Sequence, residues 1–403
     1  MKLGELIEIK HGYAFSGEHI VEDDNGIVLV TPGNFRIGGG FKEEKCKFFD
    51  GEIPADYVLK EGDFIVTMTD LSKTIDTLGY SALVPKSKRT YLHNQRIGLV
   101  TFKSDECDRG YIYWLMRTRE YQRSIANTST GATVHHTSPK KIYDYDLEVP
   151  PLSTQHRIAT ILSRYDSLIE NYQKQIKLLE EAAQRLYKEW FIDLRFPGHE
   201  NTKIVDGVPE GWEKKKISDV CETVGGGTPS TKVPAYYKGG RIKWVTPTDI
   251  TRNNCICLLD TDKKITEEGL RNSSTKMVPA GTILMTSRAS VGYFGIADFE
   301  VCTNQGFISC IPIPNMQMYL LFNLMSRVDE IRKKAGGSTY LEISKSVFRN
   351  FDIVCPSEII LLQFQDKASL VLKKEKTLSL QLRLLTEARD RLLPKLMSGE
   401  ITV

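Results

Sequence analysis

With 403 residues, 41% hydrophobic and 26% charged, the chain can build two or three packed domains, and wholesale disorder is excluded. No apolar run reaches membrane-spanning length, and the charged start Met1–Glu8 has no apolar signal core, so a cytoplasmic setting is expected. A net charge of +3 is too slight to attract a polyanion in bulk, so any such contact must come from local clusters.

In chain order, residues 1–150 read as a globular domain. A short β segment at Ile27–Thr31, a glycine-punctuated strand at Asp63–Met68 and a helix at Tyr111–Tyr121 are expected in it. Pro150-Pro151 closes that domain, and residues 151–197 then form a long helix. Apolar side chains recur in steps of four and three at Ile158, Leu162, Tyr165, Ile169, Tyr172, Ile176, Leu179, Ala183, Leu186 and Trp190, a heptad seam. Phe196-Pro197-Gly198 ends the helix, and Asn201–Gly211 reads as a linker. Residues 198–356 hold the linker and a second domain, with β segments at Ile242–Thr246 and Thr282–Thr286 and a helix at Met318–Lys334. Residues 357–403 form a second long helix, which Pro394 should kink or end.

The chain contains its own second copy. Val30-Thr31-Pro32 recurs as Val245-Thr246-Pro247, Gly62-Asp63-Phe64-Ile65 as Gly281-Thr282-Ile283-Leu284, Gly79-Tyr80 as Gly292-Tyr293, and Asn94-Gln95 as Asn304-Gln305. The offset drifts between about 219 and 210, as expected where surface loops change length. From Gly131 and Gly337 onward it locks at 206. Moved by that offset, the seam falls on Phe364, Ala368, Val371, Glu375, Leu378, Leu382, Leu385, Arg389, Leu392 and Leu396, broken only at Glu375 and Arg389. A helix of about 40 residues is roughly 60 Å long and cannot bury such a seam alone, so the two helices are each other's partners. The fold class expected is α+β: two similar globular α/β domains separated by a pair of long antiparallel helices, with approximate two-fold symmetry inside one chain.

Four segments carry a resemblance to a known family: Pro150-Pro151-Leu152-Ser153-Thr154-Gln155-His156-Arg157-Ile158-Ala159, Trp190-Phe191-Ile192-Asp193-Leu194-Arg195-Phe196-Pro197-Gly198, Val208-Pro209-Glu210-Gly211-Trp212 and Leu392-Leu393-Pro394-Lys395-Leu396-Met397-Ser398-Gly399. With them the whole chain resembles the specificity subunits of Type I DNA restriction–modification systems. The resemblance implies two target-recognition domains that each read half of a split double-stranded DNA site. It implies a helical spacer docking two modification (methyltransferase) subunits, and through them restriction subunits. It also implies that this chain binds no cofactor itself, while S-adenosylmethionine, ATP and Mg²⁺ are used by the other subunits.

Contact with DNA is expected at polar loop tips. Arg288 and Ser290 lie in a small-residue loop after a strand, and Thr69 and Lys73 lie in the corresponding loop of the first copy. Arginine suits guanine or phosphate, and small neighbours allow a close backbone approach. Asn34 and Arg36, and Thr248 with Asp249 and Arg252, follow the repeated Val-Thr-Pro, where turn chemistry is the plainer account. Asn94-Gln95 and Asn304-Gln305 recur in domains expected to read different sequences and are therefore structural, whereas Arg96 has no counterpart. Lys140 and Lys141 after Gly131–Pro139, and Gly336-Gly337-Ser338-Thr339 with Lys345, suit phosphates.

Catalysis and metal binding find little support. No Gly-Lys dipeptide, His-Glu-x-x-His or methyltransferase Asn/Asp-Pro-Pro-aromatic motif occurs, and every histidine lies at or before His199, so a job done twice cannot need one. Neighbouring His135 and His136 point opposite ways on extended chain, and the eight scattered cysteines, Cys255 and Cys257 included, read as reduced buried thiols. No catalytic residue and no metal ligand is expected. The alternative to a DNA reader is a duplicated scaffold that organises partner proteins through its coiled coil.

Overall fold

A computed structural model describes all residues except Lys45, Asn254, Ser338 and Thr339. The chain divides into two compact units, Met1–Leu168 with Leu385–Val403, and Ile169–Leu384. Each long helix therefore contributes one part to each unit.

In the first unit, β-branched and aromatic runs pair into two sheets. Strand Ile97–Phe102 is flanked by Ile7–His11 and Phe64–Thr67, with Ser81–Leu83 beyond, all antiparallel. The other sheet centres on Ile27–Val30, which runs parallel to Thr90–His93. The second unit repeats both. Phe307–Pro312 lies between Cys221–Gly225 and Ile283–Thr286, with Phe294–Ala297 next, and Ile242–Val245 runs parallel to Val301–Thr303. The parallel pair in each unit is the Val-Thr-Pro strand beside the strand leading to the Asn-Gln pair.

The single helices expected at Tyr111–Tyr121 and Met318–Lys334 are each two. Arg109–Leu115 gives way to Arg119–Asn127 because the Thr118 hydroxyl accepts from the Tyr121 amide and starts a new helix. Gln317–Ser326 and Val328–Lys334 are separated by Arg327, whose guanidinium is drawn to Glu330 and the Asp352 carbonyl. The linker expected at Asn201–Gly211 holds a small hairpin, Ile204–Val205 against Val208–Pro209.

The long helices run over Leu152–Tyr187, followed by a wider turn at Lys188–Ile192, and over Glu358–Met397. The second ends at Met397, three residues past Pro394 and so near where the proline was expected to end it. The proline ring removes one donor in the last turn, the Pro394 carbonyl still accepts from the Ser398 amide at 3.0 Å, and the chain turns off at Gly399 with φ +75°.

Within each unit the helices run antiparallel. In the first, Ile158 and Leu162 share a core with Leu393 and Leu396, and Leu392 packs at its edge. In the second, Trp190 meets Phe364 with ring centroids 5.9 Å apart, and Leu186 and Val371 pack against the same core. Ile169, Ile176 and Leu378 are buried, whereas Tyr165, Tyr172, Leu179, Leu382 and Leu385 are only half-buried. Each long helix also grips its unit through one glutamine. Gln155 Oε1 accepts from the Asp108 amide at 2.8 Å, just before helix Arg109–Leu115, and Gln365 Oε1 accepts from the Met318 amide at 2.9 Å in the first turn of Gln317–Ser326.

Candidate nucleic-acid interface

In each unit three loops are laced together by the same backbone hydrogen bonds. In the first, the Met68 amide donates to the Arg96 carbonyl at 2.9 Å, and the Thr137 amide donates to the Met68 carbonyl at 3.0 Å. In the second, Ser287 donates to the Gly306 carbonyl at 2.8 Å and accepts from the Ile343 amide at 3.0 Å. The three changing offsets between the copies thus belong to three loops joined along one edge. Strand Thr69–Asp70 extends that edge by pairing with His135–His136.

Two pairs of glycines hold the scaffold. At Gly12 and Gly226 an added Cβ would fall 2.1 and 1.9 Å from the carbonyl oxygens of Asn94 and Asn304. At Gly131 (φ +107°) and Gly337 (φ +128°) it would fall 2.0 and 2.1 Å from the carbonyl oxygens of Val134 and Tyr340. Only glycine fits there. Each of the latter pair closes a loop by reciprocal backbone bonds, Thr130 with His136 and Gly336 with Glu342.

Several candidate contacts prove to be structural. Asn34 is 1% exposed; its carboxamide accepts from the Thr31 amide and donates to the Lys42 carbonyl, so it builds its turn and cannot reach a base edge. Asp249 does the same, accepting from the Thr246 amide and hydroxyl at 2.7 Å. Thr69 is 3% exposed and its hydroxyl pairs with His136 Nδ1 at 3.1 Å, which removes it as a contact. Lys141 donates to the Thr128 carbonyl and ties down its own loop. Asn94 and Asn304 are turn builders, accepting from the Arg96 and Gly306 amides.

Others stand at the surface. Lys73, Arg96 and Lys140 are exposed in the first unit, as are Arg288 and Lys345 in the second. Arg288 Nε lies 3.6 Å from Glu342, an open pairing that a phosphate or base can replace. Ser290 is half-buried, and Ala289 takes φ +60°, so this loop is tight. Lys345 lies along Gly225. Arg36, exposed, donates to the Phe41 carbonyl, and Thr248 and Arg252 sit exposed on and after the short helix Pro247–Thr251. Of the Gly336–Thr339 run, Ser338 and Thr339 lie outside the described residues.

Comparison with known proteins decides the family. The Type I restriction modification DNA specificity domain matches residues 1–181 and again residues 209–369. The chain belongs to that family. The specificity subunit of the Haemophilus influenzae Type I enzyme HindI is 27% identical over 351 residues, 70% of this chain and 75% of that one. The Methanocaldococcus jannaschii MjaIX specificity subunit is 39% identical over 153 residues, where the chain spans about a third (35%) of that relative's length. The crystal structure of a Type I S subunit from M. genitalium shares the fold, with a TM-score of 0.61 at 15% identity over 98% of this chain and 95% of that one. As a member of the Type I specificity family, the chain is a recognition component rather than a catalytic one.

Three features of this Type I specificity chain were not legible as sites. Asp70, 2% exposed, accepts from the Ser72 and Thr77 amides at 2.6 Å each, from the Thr77 hydroxyl at 2.7 Å and from the Leu78 amide at 3.1 Å. Burial pushes its carboxyl up, and the donors of Ser72 and Thr77 outweigh that and hold it below the usual carboxylate range. Arg117 stacks on Trp114 at 4.2 Å and shares Asp166 with Arg389, both ion pairs at 2.5 Å. In the second unit Glu180 and Glu375 hydrogen-bond to each other while accepting from the amides of Ile256 and Cys257. Burial, then the neighbouring carboxylate, pushes Glu180 up to about 7, and burial raises Glu375. The only sequence signal for the last two was the break of the second stripe at Glu375 and Arg389. Among the described residues no group of three or more His, Cys, Asp or Glu side chains could hold a metal ion, and no helix is long and apolar enough to cross a membrane.

Proposed function

We propose that this chain reads a two-part double-stranded DNA site, one half with each unit, inside a Type I restriction–modification complex in the cytoplasm. The observation that carries this is the duplicated laced edge. Two scaffolds share their backbone bonds and glycines, yet they differ in the side chains and loop lengths they present. That is what two readers of different short sequences need, with cations fixing the register on phosphates and a few side chains meeting base edges.

In this proposal the chain performs no chemistry. Its paired helices set the distance between half-sites and dock two methyltransferase subunits, through which restriction subunits join. S-adenosylmethionine, ATP and Mg²⁺ belong to those subunits, and this chain's residues hold none of them. The test is methylation mapping of DNA from cells carrying the system with the wild-type chain or with Lys73→Ala plus Arg288→Ala. The wild type should give one split motif, and the double variant should relax or lose it. A motif unchanged by the double variant, or independent of the chain, would overturn the proposal.

A further inference from the structure

The two edges differ most in one loop. In both units a threonine and a glycine close the loop identically: the Gly79 amide donates to the Thr67 carbonyl at 2.9 Å, and the Gly292 amide to the Thr286 carbonyl at 2.9 Å. Between these clamps the second unit has only residues 287–291, whereas the first has residues 68–78. A surplus loop of this length should be slack, yet this one is anchored at both ends. The buried Asp70 carboxylate gathers the Ser72, Thr77 and Leu78 amides beneath it. Gln122 Nε2, from helix Arg119–Asn127, donates to the Ile75 carbonyl at 2.6 Å, and Ile75 takes φ +52°. The Asp76 amide donates to Ser72 Oγ at 3.0 Å. What this framework leaves outward is Leu71, 58% exposed, with the exposed Lys73 and Thr74, and the Thr74 hydroxyl is already spent on Asp76 at 2.5 Å.

The anchored loop therefore presents one apolar and one cationic side chain side by side at the edge where the three loops are laced. We propose that Leu71–Thr77 is the specificity-determining element of the first unit, with Asp70 as its positioning residue. Leu71 makes an apolar contact to a base edge and Lys73 meets a phosphate. The inference rests on the DNA-reading proposal and goes beyond it by naming which loop discriminates and what holds that loop. The chemistry divides the two tip residues. An apolar base-edge contact carries sequence information, whereas a phosphate contact strengthens binding to every sequence alike. In the second unit no surplus loop exists, and Arg288 on the short one must do the corresponding work.

The experiment is methylation mapping in cells carrying the full system with each single variant of the chain. Leu71→Ala should make one position of one half-site degenerate, with discrimination there falling about tenfold, and leave the other half intact. Lys73→Ala should lower methylation at all sites without changing the motif. Asp70→Asn should relax the same half-site as Leu71→Ala, at more positions, while Arg288→Ala relaxes the opposite half. Leu71→Ala and Lys73→Ala touch only exposed groups, so they remain informative if Asp70→Asn impairs folding. A split motif that Leu71→Ala leaves unchanged, or a change in the half affected by Arg288→Ala, would overturn this inference while the DNA-reading proposal stood. Loss of any chain-dependent motif in the wild type would overturn both.

Discussion

Asp166 shows how much one carboxylate can hold. Arg117, with only 4% of its side chain exposed, and Arg389 both place guanidinium nitrogens on it, one from the globular part of the first unit and one from the second long helix. Arg389 also holds Asp390 at 2.7 Å, but the other partners of buried Arg117 are the neutral Gly38 carbonyl and Tyr113 hydroxyl, so removing Asp166 strips a buried cation of its counter-charge. Asp166→Asn should therefore destabilise the first unit by about 3 kcal/mol or more, read as a lowered urea midpoint with the second unit's transition unmoved. A loss below about 1 kcal/mol would mean that the arginines find other partners. Of this group the sequence marked only Arg389, as a break in the second stripe. Asp166 sits between seam positions as an ordinary surface acid, and Arg117 acquires its role only when helix Arg109–Leu115 ends beside the long helix.

At the scale of elements, the Glu180–Glu375 pair makes the helix contact of the second unit depend on pH. The pair needs a proton between its carboxyls, since two buried carboxylates in contact repel. Glu180 is raised from an ordinary 4.5 to about 7. Between those values the folded chain keeps a proton that the unfolded chain has released. Stability from this site is thus greatest at the acid end and falls as pH rises toward about 7, by up to about 1.4 kcal/mol per pH unit. Around the pair lie the thiols of Cys255 and Cys257, both raised by burial, and Lys376, which is paired with Asp298. None of these supplies a free counter-charge. Glu375→Gln keeps a carbonyl for the Cys257 amide and removes one charge. It should flatten the fall and raise stability at pH 8 by about 1–2 kcal/mol, with little change at pH 5, measured as urea midpoints. An unaltered pH slope would sink the shared-proton account.

The elements also show what was legible and why. Long helices and the repeat follow from periodicity, which needs no knowledge of partners, so the seam from Ile158 to Trp190 and its copy could be read directly. The clamped scaffold was half legible: the Gly79/Gly292 and Asn94/Asn304 matches gave its positions, but the lacing of Met68 and Ser287 to two distant loops is tertiary. Asn34 and Thr69 were misplaced because a one-letter polar residue does not say whether its hydrogen bonds are already used. Asp70 was passed over for the same reason, as an acid has no evident place at a DNA edge until its bonds to the loop are seen.

At the scale of the whole molecule, the proposal makes the paired helices the ruler between half-sites. Inserting seven residues into both long helices at matching points, between Leu168 and Ile169 and between Leu384 and Leu385, adds roughly 10 Å to each while keeping the seam in phase. The methylated motif should then keep both half-sites and gain about three base pairs between them. Unchanged spacing in a methylated motif would show that something other than these helices sets the distance.

The two interruptions of the second stripe give that ruler a further property. Helices joined by leucines alone could close one heptad out of step at little cost, and a molecule so closed would measure wrongly. Here Arg389 finds Asp166 in one unit and Glu375 finds Glu180 in the other. A slip would take Arg389 from Asp166 and leave Glu180 and Glu375 buried without each other, so a misaligned closure costs more than the native one. What looked like flaws in the pattern are keys cut into a zip, and if the helices are the ruler proposed above, these keys set its length to a single value.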